Sequence, residues 1–112
     1  MTMSAHRFDL VFSGMSSGRS ARLVALDPSQ MDFIVGSGIR TNNAKTLYIR
    51  SDSITFQPND GGGDVTITVY LNVENTATVL SFQLQSCQSL NWTLDDSVQE
   101  TVGEGRFNVR MD

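Results

Sequence analysis

The sequence predicts an all-β domain: a single antiparallel β-sandwich, jelly-roll or immunoglobulin-like, or a small β-barrel, of about eight short strands. Three observations carry that expectation. From Val65 to Glu74 apolar and polar residues alternate strictly, with Val65, Ile67, Val69, Leu71 and Val73 on one side and Thr66, Thr68, Tyr70, Asn72 and Glu74 on the other. Successive side chains of an extended strand point to opposite faces, so this pattern writes one buried and one wet face. Shorter bursts of the same kind recur at Phe8-Leu10-Phe12, Ile54-Phe56, Leu80-Phe82-Leu84, Leu90-Trp92-Leu94 and Phe107-Val109-Met111. Turn residues separate the bursts, and no segment carries a capped apolar stripe of helical period.

Taken in order, the first strand spans Arg7 to Met15, and the Gly/Ser cluster from Ser13 to Gly18 reads as a flexible hairpin connection. Ala21 to Leu26 is a second strand, ended at Asp27-Pro28, where proline denies a ladder donor. Met31 to Val35 is a short apolar segment broken by Gly36-Ser37-Gly38, and Thr41-Asn42-Asn43-Ala44 reads as a further turn. Lys45 to Gln57 reads as one long strand or two, since the apolar parity switches between Ile49 and Ile54, and within one strand that calls for a bulge or bend around Arg50 to Ser53. Pro58 to Asp64 is the strongest loop signal. Beyond it the Val65 strand and Thr78 to Gln85 read as a hairpin about Asn75-Thr76. Leu90 to Leu94, a turn at Asp95-Asp96-Ser97, a segment from Val98 to Val102, a turn at Gly103-Glu104-Gly105 and a strand from Arg106 to Met111 complete the chain.

The 112 residues fit one domain, 1–112, with residues 1–6 expected as a flexible N-terminal arm. The formal net charge of −4 argues against nucleic-acid binding, which asks for a basic face. No apolar run is long enough for a membrane-spanning helix, and the N-terminal stretch shows neither the charged n-region nor the continuous apolar run expected of a secretory signal. Thirty-six residues are Ser, Thr, Asn or Gln, against three Glu and one Lys, so the strands present a surface low in charge. Seven Arg accompany the single Lys45, and arginine is the cation that interfaces favour.

Candidate chemistry is sparse. With one histidine, His6, and one cysteine, Cys87, neither a His/Cys zinc site nor an internal disulfide can form within a chain. A Ser-His-Asp triad would have to use His6, and the Gly-x-Ser-x-Gly elbow is absent. Asp95 and Asp96 are adjacent and would face apart on a strand, a poor acid–base pair. Gly14 to Ser20 is one residue short of a phosphate-binding loop and has Arg where that loop has Lys. Asp60 and Asp64, flanking Gly61-Gly62-Gly63, are the candidate Ca²⁺ ligands, because oxygen donors on a glycine loop suit that ion. No cofactor is expected.

These readings point to a non-enzymatic structural protein that works through protein–protein contacts, as a homo-oligomer or within a larger assembly such as a viral capsid or tail. The particular expectation is a small bacteriophage virion component, made in the host cytoplasm, decorating a capsid or completing a vertex or tail. The candidate interface residues are Tyr48, Tyr70, Thr66, Thr68, Arg19 and Arg22: amphipathic rings, strand hydroxyls and guanidinium forks that can pair with acidic neighbours. The alternative is a carbohydrate- or cell-surface-ligand-binding module using Tyr48 or Tyr70, with Ca²⁺ at Asp60 and Asp64.

Overall fold

A computed structural model describes residues 4–26, 32–33, 37–73, 79–88, 91–102 and 105–110. They form nine strands: β1 (Ser4–Met15), β2 (Ser20–Ala25), β3 (Ser37–Asn42), β4 (Ala44–Ile49), β5 (Ser53–Pro58), β6 (Gly63–Val73), β7 (Val79–Cys87), β8 (Thr93–Val102) and β9 (Gly105–Arg110). Two sheets share them, one ordered β3-β6-β1-β9 and the other β4-β5-β2-β7-β8. The protein is an all-β sandwich, with open sheets in place of a closed barrel.

The alternation in β1 and β6 builds the smaller sheet. Phe8, Leu10 and Phe12 lie opposite Val69, Ile67 and Val65, so both strands turn the same parity inward, and all six side chains are buried. Across the sandwich, Leu23 pairs with Ile54 and with Leu84, and Ala21 with Phe56, giving the larger sheet its own buried row. The rings of Phe12 and Phe56 join the two layers, 4.9 Å between centroids and tilted by 53°. Phe33, whose backbone N–H donates to the Ser51 carbonyl at 3.0 Å, is buried in the same core.

Several sequence expectations are corrected. The chain changes sheets between β1 and β2 and again between β6 and β7, so neither pair is the hairpin that its short polar connection suggested. The hairpins are β4–β5 and β7–β8. One pairing, β1 with β9, is parallel. Ser4, Ala5 and His6, expected in an arm, pair with Val73, Asn72 and Leu71. The Thr41-Asn42 turn signal lies inside β3, which pairs along β6 from Ser37 to Asn42. Asp95-Asp96-Ser97 does not end a strand: β8 runs through it, and the surplus residues form an irregularity between Gln83 and Gln85 of β7. The bend expected around Arg50 to Ser53 is the β4–β5 turn, where the Arg50 amide donates to the Ser53 carbonyl at 2.8 Å, and Leu47 is an additional unpaired residue between the Thr46–Phe56 and Tyr48–Thr55 pairs. The turns expected at Asp27-Pro28, Asn75-Thr76 and Gly103-Glu104 lie outside the described residues, as do residues 1–3 of the expected arm.

Candidate functional site

The outer face of the larger sheet carries the richest constellation. Register alone sets Tyr48 (β4), Thr55 (β5), Arg22 (β2) and Gln85 (β7) in one row across four strands. Arg22 lies half-buried in that row. Its Nε donates to Thr55 Oγ1 at 3.4 Å, its Nη1 donates to Gln85 Oε1 at 3.2 Å, and its guanidinium stacks 4.2 Å from the centre of the Trp92 ring. At the β4–β5 turn Arg50 lies over the Tyr48 ring at 4.8 Å and donates from Nε to Tyr48 Oη at 2.6 Å. That bond raises the Arg50 pKa further above its ordinary value, with Asp52 adding a smaller pull in the same direction. Arg22, Tyr48, Arg50, Thr55 and Gln85, with Val24, Asp52 and Ser53, line an open polar groove of about 370 Å³.

The smaller sheet presents a different outer face. Arg7 grips the Asp9 carboxylate through Nε and Nη2 at 3.0 and 2.8 Å, and Thr68 Oγ1 donates to the same carboxylate at 2.9 Å. Tyr70 lies beside Gly38 and under Arg40, whose guanidinium is 5.9 Å from the ring centre. Thr66 sits one row on, paired with Val11 and Asn42.

The structure therefore divides the six candidate interface residues. Tyr48 and Arg22 share the groove. Tyr70, Thr66 and Thr68 belong to the other sheet, so the two tyrosines do not make one binding face. Arg19 is buried, with 8% of its surface exposed, and is no part of an open contact surface.

Asp60 and Asp64, the calcium candidates, each have a protein partner. Asp60 accepts from Lys45 Nζ at 2.9 Å, which lowers its pKa below the usual carboxylate value, and Asp64 Oδ1 accepts from the Gly14 amide at 3.2 Å. The loop carbonyls of Gly62 and Asp64 converge on an amide donor, Asn43 Nδ2, at 3.2 and 2.8 Å. A cation would need those oxygens. No cluster of three or more His, Cys, Asp or Glu suited to a metal occurs among the described residues. The loop is also closely packed: a Cβ at Gly62 would lie 2.9 Å from the Met15 carbonyl oxygen.

Trp92, Arg50, Thr55 and Gln85 escaped the sequence reading. Trp92 shares parity with Leu90 and Leu94 and looked like core, yet it precedes β8 and covers Arg22 from outside. The available signal was the three-residue spacing to Asp95-Asp96-Ser97, whose turn chemistry marks a strand that does not keep one parity.

No protein-family model, curated protein or solved structure matches the chain. Among the described residues no helix is long and apolar enough to cross a membrane.

Proposed function

We propose that this protein is a non-enzymatic assembly component that docks on protein surfaces through the β4 edge of its larger sheet. One observation carries the reading. β4 is a terminal strand of its sheet, and its consecutive residues Leu47, Tyr48 and Ile49 are exposed by 49%, 50% and 37%. An edge strand offers unpaired backbone donors and acceptors, and natural sheets usually blunt such an edge with charge. Here the lysine on that strand, Lys45, is drawn to Asp60 of the neighbouring turn and Arg50 lies over the Tyr48 ring, while Leu47 and Ile49 stay exposed on either side.

A second copy of the chain or another subunit of a larger particle would cover this run. A virion is the assembly favoured by the low-charge Ser, Thr, Asn and Gln surface, and the net charge of −4 favours a protein partner over nucleic acid. The test is light scattering after size exclusion over a hundredfold concentration range, on the wild type and on the L47K/I49K double variant. Defined oligomers in the wild type, lost in the variant at unchanged circular dichroism, are expected. A wild type that stays monomeric throughout would refute self-assembly, and oligomers untouched by the variant would refute the β4 edge.

A further inference from the structure

We infer that the groove across the outer face of the larger sheet is a binding site for an acidic sugar, a polyhydroxylated ring carrying one carboxylate. The inference goes beyond the docking role of the β4 edge, with which the groove shares Tyr48. It begins with charge. Arg22 and Arg50 line the same groove, and among the described residues neither forms an ion pair. Both guanidiniums are held in place before any ligand arrives. Arg22 is fixed by Thr55, Gln85 and the Trp92 ring, and Arg50 by the hydroxyl and ring of Tyr48. A planar guanidinium positioned in this way matches a carboxylate through two parallel N–H donors, and prior ordering lowers the entropy lost on binding.

The rest of the lining decides between a simple anion and a sugar acid. Asp52 carries a negative charge in the same groove, which disfavours a compact, highly charged anion but accepts hydrogen bonds from hydroxyl groups. Ser53, Thr55 and Gln85 add hydroxyl and amide groups to the floor. Half of the Tyr48 surface is exposed at the rim, an amphipathic ring suited to the C–H face of a sugar. The volume of about 370 Å³ falls within the range of small-molecule sites. A ligand with one carboxylate, several hydroxyls and an apolar ring face satisfies every one of these groups.

The experiment is a titration of isotope-labelled full-length protein with D-glucuronate, followed by amide and arginine Nε–H resonances, with glucose, acetate and inorganic phosphate as comparisons. Glucuronate should saturate with Kd of about 1 mM or tighter and move the Arg22, Arg50 and Gln85 signals. R22Q and R50Q should each weaken it roughly 10- to 100-fold, the effect of losing one charge-assisted contact. R40Q, on the opposite sheet, should leave it unchanged. If R22Q does not fold, R50Q decides, because the Arg50 side chain is exposed. The inference is overturned if glucuronate fails to bind at tens of millimolar. It is also overturned if acetate or phosphate binds equally well, or if neither groove variant weakens binding.

Discussion

Asn43 is the single residue between β3 and β4, where the chain leaves one sheet for the other, and its replacement by Asp tests whether its amide holds that crossing together. Asn43 has a φ of 62°, in the left-handed region that Asn and Asp tolerate better than other side chains. Asn43→Asp therefore keeps the backbone preference and the shape, and changes the chemistry. The amide donates to the carbonyls of Gly62 and Asp64, while the Asn43 carbonyl accepts from the Asn59 amide at 3.1 Å. Losing two neutral hydrogen bonds costs about 1–3 kcal/mol, and a carboxylate facing two carbonyl oxygens adds repulsion.

The sign of the pH dependence follows from that repulsion. The introduced carboxyl would have a folded-state pKa above its unfolded value of about 3.9. The ionisation part of the penalty is then complete above the folded pKa and fades as the pH falls through it. Urea unfolding of the wild type and N43D at pH 7 and pH 4 measures this. N43D should be less stable at pH 7 by at least about 1 kcal/mol, with a smaller deficit at pH 4. N43G, which accepts the same φ and carries no charge, should show a deficit that does not change with pH. An N43D protein as stable as the wild type at pH 7, or a deficit that ignores pH, would refute the amide's role.

Two further outcomes follow from the same geometry. Phe56→Ala should destabilise the domain by about 3–5 kcal/mol, because it empties a fully buried ring site and removes the contact with Phe12 between the sheets; chemical denaturation measures the loss. Asp60 should titrate below the ordinary carboxylate range in an NMR pH series, and Lys45→Met should move it back up. Since the folded pKa is depressed, whatever this exposed pair contributes is present above the unfolded pKa and lost as the pH falls, and added salt screens it.

Much of the sandwich was legible because its physical cause is local. The alternation in β6 placed Val65, Ile67 and Val69 in the core without knowledge of their partners. The phenylalanines at positions 8, 12, 56 and 82 behaved likewise. Partition into sheets was not legible, because the turn that crosses between layers at Ser16 to Arg19 uses the same Gly and Ser as a hairpin turn. β3 was hidden because Gly38, Thr41 and Asn42 carry turn chemistry, and Ile39 is the isolated apolar residue by which it packs against the core. The groove was half legible. Tyr48 and Arg22 announce themselves by residue type, whereas Thr55 and Gln85 join them through the register of four strands, which no single stretch of sequence records.

The parallel pairing of β1 with β9 has a mechanical consequence. Six consecutive pairs, from Phe8 with Gly105 to Ser13 with Arg110, join two strands near opposite ends of the described chain. Tension applied at the Ser4 end of β1 and the Arg110 end of β9 pulls these strands along their own axes in opposite directions. The load then falls on all the rungs at once, in shear, and none can be peeled away before the others. Forced unfolding is governed by the barrier on that route, so the domain is a clasp across its own ends. A pull at both ends of the described chain is then borne across these rungs while each sheet keeps its order.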